Sequence, residues 1–197
     1  MKPTTRMATR TLAFCALLAA LSVVLARLIV PMPNAFTRFS IEAVPIFLAG
    51  LLFGPLAGGM VGFSADLVGC LFSGYGYNPL FCIPPILYGV TAGIFRYRVA
   101  ADKQLFWLIV SFVCAAFVGS VGYQSWALAF TYYYDPSVEG SLEQGLIYFL
   151  STRSVQFAVT AAIDISIVYL LLRLKVFDRM RLWPVYKKER RCDYDDR

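Results

Sequence analysis

Residues 38–69 read RFSIEAVPIFLAGLLFGPLAGGMVGFSADLVG. An apolar run over 41–53 stops at Gly54-Pro55, and a second apolar run follows to about residue 73. Proline lacks the N–H that an internal helical position needs and is favoured in a helix's first turn, whereas glycine lets the chain reverse. The stretch therefore predicts two helices joined by a tight break. The second carries Gly58 and Gly62, four apart, which lets helix backbones approach closely. It also carries Asp66, placed where lipid would surround it. A carboxylate at that depth needs a partner or marks a site.

The same apolar pattern extends outward from this stretch. Further apolar segments cover about 11–30, 79–95, 105–130 and 146–174, making six in all. The chain is 59% hydrophobic and 15% charged, with a mean hydropathy of +0.65. A soluble domain is roughly 25% charged. These values predict an all-α, polytopic membrane protein. A span needs about 20 apolar residues, so 41–53 is short. It is read as a sixth span tilted into the bundle, with five spans and a re-entrant segment as the alternative. The first apolar run is too long for the core of a signal peptide and is read as a spanning anchor.

Lys and Arg set the orientation. The N-terminal tail, the loop after the fourth segment and the stretch from Arg173 onward together hold all but three of the 18 cations. Six spans put these regions on one side, which the positive-inside rule makes the cytoplasm. Both termini are then cytoplasmic. The chain divides into a tail (1–10), a six-helix membrane domain (11–174) and a basic tail (175–197). The loop 131–145 on the other side carries Asp135, Glu139 and Glu143 and no cation.

The three remaining cations are Arg27, Arg38 and Arg153, at the outer ends of segments or between two of them. Three cations on one end of a bundle suit an anionic ligand captured from outside. Arg153, Gln156, Thr160 and Asp164 follow the spacing i, i+3, i+7, i+11, one stripe running inward along the last helix. Such a face turns into the bundle, where it either binds a ligand or joins helices. Asp66 has the same two readings. Gln124 and Trp126, with Tyr77, Asn78 and Phe36 from outer loops, supply aromatic faces and amide groups that can stack a flat heterocycle and read its edge. Aromatic residues at a membrane interface also occur for anchoring alone. Ala16 and Ala20, four apart in the first helix, form a flat face that packs against another helix, by default one in the same chain.

Several function classes are excluded. The chain has no histidine, which removes Ser-His and Cys-His nucleophiles, and it shows no metal-ligand cluster. The five cysteines form no CxxC pair and are read as small packing residues. Asp66 and Asp164 stand apart, unlike the acidic cluster that a metal-dependent lipid transferase requires. No catalytic residue, metal or cofactor is expected, and the flanking cations are not a nucleic-acid surface. No phosphate-binding GxxxxGK[ST] is present.

A small six-helix protein with Ala-x-x-x-Ala in its first helix resembles the substrate-binding S components of energy-coupling-factor (ECF) vitamin transporters. Residues 38–69, with the Arg-Phe entry, the Phe53-Gly54-Pro55 break and the Ser64-x-Asp66-Leu67 segment, are similar to the folate-type members. So is GYGYNPLFCIPPILYGVTAGIF, residues 74–95. Pro84-Pro85 and Asp164 depart from that pattern. The resemblance implies a subunit in a prokaryotic cell membrane that binds a vitamin from outside and associates with a transmembrane coupling subunit and two ATPase subunits. It turns the Ala16 and Ala20 face into the docking surface for the coupling subunit. For a folate-like ligand, Arg38 and Arg153 are expected to take carboxylate or ring contacts, supported by Arg27. Asp66 or Asn78 would address the ring edge, Tyr77, Trp126 and Phe36 would stack, and Gln124 and Gln156 would line the site. Another flat heterocycle, such as a queuosine precursor, or a stand-alone carrier is the alternative.

Overall fold

The computed structural model describes residues 5–27, 30–31, 38–39, 41–73, 79–100, 103–133 and 142–174. The order is α1 (Thr5–Arg27), β1 (Val30–Pro31), β2 (Arg38–Phe39), α2 (Ala43–Phe53), α3 (Pro55–Ser73), a 3-10 turn (Pro79–Cys82), α4 (Ile83–Val99), α5 (Gln104–Ala115), a π-helical stretch (Ala116–Tyr123), α6 (Gln124–Tyr133) and α7 (Leu142–Arg173). The all-helical expectation is met apart from β1 and β2, two residues each, paired antiparallel. Five helical spans are long and apolar enough to cross a membrane: Thr9–Ala26, Pro55–Phe72, Pro79–Val99, Gln104–Thr131 and Ser154–Arg173.

α2 is the short segment, and its surroundings explain its length. Every residue from Val44 to Leu52 is buried. A helix apolar on all sides belongs inside a bundle, and α2 packs against α1, α3, α4 and α7. Phe47 and Leu51 meet Leu108 and Phe112 of α5 and Val168 of α7 in the main core. Because α2 has little contact with lipid, it need not match the bilayer thickness.

α2 and α3 form an antiparallel hairpin turning at Gly54, whose φ is +102°. L-residues rarely adopt that conformation, and a Cβ there would also lie 2.8 Å from the Arg96 guanidinium. Above the turn, Gly50, Gly58 and Gly89 bring three helices into backbone contact. A Cβ on Gly58 would fall on the Gly89 carbonyl, and one on Gly89 would fall on the backbone of Gly58. The close packing expected from the Gly58 and Gly62 spacing is thus realised against α4.

Pro84 and Pro85 occupy the first turn of α4, after the 3-10 turn, where no intrahelical N–H bond is lost. The fifth apolar segment contains a π-helical stretch over eight residues. Gly119 lies there opposite Pro84, whose Cα is 3.5 Å from where a glycine Cβ would stand.

One end of the bundle is basic. Arg10 stacks on Phe14, which touches Phe53 beside the Gly54 turn. Arg98 lies 4.7 Å from the Trp107 ring at the start of α5. Arg173 closes α7, whose neighbour Leu172 shares a core with Val99 and Leu108. The start of α1, the α2–α3 turn, the α4–α5 connection and the end of α7 therefore lie together.

Candidate functional site

Helix lengths measured from the basic end locate the polar residues in depth. α2 has 11 residues and so rises only roughly 16 Å from its turn. Its N-cap, Glu42, therefore sits near the middle of a bilayer whose hydrocarbon core is about 30 Å thick. Ser22 of α1 fixes it there, the Oγ donating to the Glu42 carbonyl at 2.8 Å. Glu42 and Ile41 are exposed at the top of this otherwise buried helix. A carboxylate at that depth tolerates exposure to water but not to lipid. An exposed carboxylate at that level is expected to meet water from the end opposite the basic one.

Two further carboxylates lie at the same level. Asp66 is 11 residues past Pro55 on α3, roughly 16 Å up. The Cys82 thiol hydrogen-bonds to its carboxylate, while Oδ2 is buried without a partner among the described residues. Asp164 is nine residues before the end of α7, roughly 14 Å up. It is 1% exposed, and its Oδ1 has no hydrogen-bond partner among the described residues.

The arginine positions lie further out. Arg27 ends α1, five residues beyond Ser22. Arg38 is in β2, paired with Pro31 four residues before Glu42, and β2 packs against α7. Arg153 is 11 residues before Asp164 on α7, roughly 16 Å further from the basic end. The backbone is described at all three, and the side chains lie outside the described residues. Tyr77, Asn78 and Phe36 also lie outside them.

The remaining expected residues fall in two places. Gln156 and Thr160 are half-buried on the Asp164 stripe, and the Thr160 hydroxyl donates to the Gln156 carbonyl at 2.9 Å. Gln124 is half-buried at the start of α6. Trp126 is exposed and stacks on exposed Phe130, 5.5 Å away at an interplanar angle of 18°. One face of its ring is thus covered along its own helix. Ala16 and Ala20 are exposed on α1. They border an apolar groove of about 550 Å³ between α1 and α3, opposite Met60 and Ser64. Sequence reasoning missed Glu42 and Ser22. The available signal was that Glu42 is the first acidic residue of the chain and opens an apolar run.

Among the described residues no three His, Cys, Asp or Glu side chains are grouped to hold a metal. The carboxylates thus lie at one level of the bundle, with the arginine positions further toward the end opposite the basic one, where they suit a ligand carrying negative charge.

A family model described as ECF transporter, substrate-specific component, matches residues 10–172. No curated protein matches the chain. Among solved structures, FolT bound with folic acid is similar at 23% identity, over 83% of this chain and 92% of that one, with a TM-score of 0.67. The S-component for biotin from an ECF-type ABC transporter is 15% identical over 87% and 95%, TM-score 0.57. The S component of a bacterial ECF transporter is 20% identical over 87% and 98%, TM-score 0.53.

Proposed function

This chain belongs to the substrate-specific components of ECF transporters, and we propose that it captures folate outside a prokaryotic cell for import through a coupling subunit and two ATPase subunits. It is a membrane-embedded, substrate-binding subunit and not an enzyme. The observation that carries the folate reading is the placement of three arginine positions beyond the mid-helix carboxylates, toward the end opposite the basic one. The positive-inside rule puts the basic end in the cytoplasm, so the three arginine positions face outward. Folate offers a flat ring and a glutamate with two carboxylates. Arginine matches carboxylates with a planar fork and keeps its charge at any relevant pH. The folic acid in the FolT structure belongs to the ligand class that such arginines suit.

Calorimetry of the purified protein tests this reading. Wild type is expected to bind folic acid tightly and to ignore thiamine, a cation. Arg38→Ala and Arg153→Ala should each weaken folic acid binding by about 1.5–3 kcal/mol, the value of a hydrogen bond to a charged group. That is roughly a 10- to 150-fold loss. Arg38 precedes α2 and is outside every helix, so ligand-free Arg38→Ala should melt like wild type. Arg38→Lys should recover only part of the affinity, because an ammonium lacks the fork. Tight thiamine binding without folate binding would contradict the reading. So would alanine variants that keep full affinity.

A further inference from the structure

The π-helix is rare, and where it interrupts an α-helix it often marks a functional site. Here it runs for eight residues, Ala116–Tyr123, within the fifth apolar segment. Its consequence is a change of face. Eighteen residues make five α turns. Trp126 and Phe130 stand 18 residues after Leu108 and Phe112, so an uninterrupted helix would put them on the same line. Leu108 and Phe112 are 0% and 1% exposed, in the main core. Trp126 and Phe130 are instead 45% and 38% exposed, while Ser125 and Ala129, one residue earlier, are buried at 1% and 0%. The wider π turns have thus set α6 back by about one residue, roughly 100°. The set-back register has a cost. Ser125 Oγ is buried with no hydrogen-bond partner among the described residues. Gly122 is crowded as well, since a Cβ there would stand 3.0 Å from the Phe117 carbonyl oxygen, five residues back.

We propose that Ala116–Tyr123 is a register switch for ring recognition: rewinding it to α turns Trp126 and Phe130 from the exposed face of α6 into the bundle, where they stack the ligand's flat ring. The inference rests on the folate reading and adds the element that takes the ring and the motion that delivers it. Rewinding rotates α6 by roughly 100° and leaves α5 in place. Trp126 and Phe130 move as a pair, with Phe130 backing one face of the Trp126 ring. Ser125 and Ala129 pass to the face the rings have left. The rings arrive at a fitting level. Trp126 is 22 residues past Gln104, and Arg153 is 20 residues before Arg173, so both lie roughly 30 Å from the basic end. α6 packs on α7, which carries Arg153. Two large rings in place of a serine and an alanine hold α6 away from its neighbours, and a flat heterocycle fills the space they open. The π register, with small residues inward, suits close packing of the same helices. A ring therefore favours the α register through its greater affinity for it.

The test uses full-length protein in vesicles of dibrominated phosphatidylcholine, whose bromines quench tryptophans that face lipid. Unbrominated vesicles serve as the reference, and subtracting the emission of Trp126→Phe isolates the Trp126 signal. Quenching and folic acid affinity are measured for wild type, for a chain lacking the exposed Val118 and for Gly122→Ala. Removing one residue lets the stretch wind as α with its present faces kept, so the deletion holds Trp126 outward. Gly122→Ala crowds the π winding and favours α. Saturating folic acid is expected to remove most of the bromine quenching of Trp126 in wild type. The deletion should keep Trp126 quenched and bind folic acid about 5- to 150-fold more weakly, the loss of one aromatic stack on a heterocycle. Gly122→Ala should show partial protection before folic acid is added. Trp126 quenching that folic acid leaves unchanged in wild type would overturn the inference and leave the folate reading standing. So would a deletion that binds with wild-type affinity. If the deletion fails to fold, Gly122→Ala decides: early protection supports the switch and its absence overturns it. A wild type that does not bind folic acid would overturn the folate reading and the switch with it.

Discussion

Replacing Ala16 and Ala20 together by Trp is expected to abolish vitamin uptake while folic acid binding stays at the wild-type level. Both alanines are exposed on α1 and border the apolar groove of about 550 Å³ between α1 and α3. The packing of α1 runs through other residues. Leu18 is buried with Ile46, Val61 and Ala65, and Ser22 is bonded to the Glu42 carbonyl. Large side chains at positions 16 and 20 would therefore leave the packing of α1 on the bundle intact. They would fill the groove and hold an incoming helix away from the backbone, where small residues otherwise allow close contact. Uptake would fall to background because ATP-driven delivery requires the coupling subunit. The check is paired: calorimetry for folic acid, and co-purification with the coupling subunit followed by uptake in proteoliposomes. A double variant that loses folic acid binding yet still assembles would place the alanines inside the fold and refute the docking assignment.

Gly89→Leu is expected to eliminate folded protein, and Gly69→Ala to be tolerated. A Cβ on Gly89 would land on the carbonyl and Cα of Gly58, where backbone meets backbone and no side chain can move aside. Overpacking a well-filled core costs about 1–3 kcal/mol when side chains can adjust. Here the α2–α3 hairpin would have to part from α4, so the cost should exceed about 3 kcal/mol against a total stability of roughly 5–15 kcal/mol. Gly69 is helical and has nothing within 4 Å of the Cβ position. Alanine there gains helix propensity worth up to about 1 kcal/mol. Yield of monodisperse protein and melting temperature in detergent separate the two. A Gly89→Leu protein that melts with wild type would refute the three-helix backbone contact.

The legible parts of the fold were those written in local spacing. Gly54-Pro55 marked a turn because positive φ and a missing N–H are properties of the residues themselves. Gly58 and Gly62, four apart, announced a close helix approach without naming α4 as the partner. The paired prolines resisted reading because their tolerance depends on where α4 begins, and the 3-10 turn at Pro79–Cys82 settles that. The interruption at Ala116–Tyr123 leaves no mark in hydropathy, since a π-helical stretch and an α-helix bury the same residue types.

Depth was the property the sequence hid at the site. That α2 can stop at mid-bilayer follows from its burial on every side, a fact of tertiary packing. Glu42 became a candidate only once that depth was known. The stripe ending at Asp164 was visible from helical spacing, and the burial of Asp164 agrees with it. Trp126 stacks on Phe130, four residues further along the same helix, a pairing that helical spacing alone allows.

Mass spectrometry of the small molecule that copurifies with the detergent-solubilised protein tests the central claim most directly. A high-affinity binding subunit should retain its ligand through purification from cells grown in folate-containing medium. The expected result is a folate species near one per protein, displaced when Arg38 and Arg153 are both replaced by alanine. A stoichiometric biotin, thiamine or other ligand in its place, with folates absent, would contradict the account.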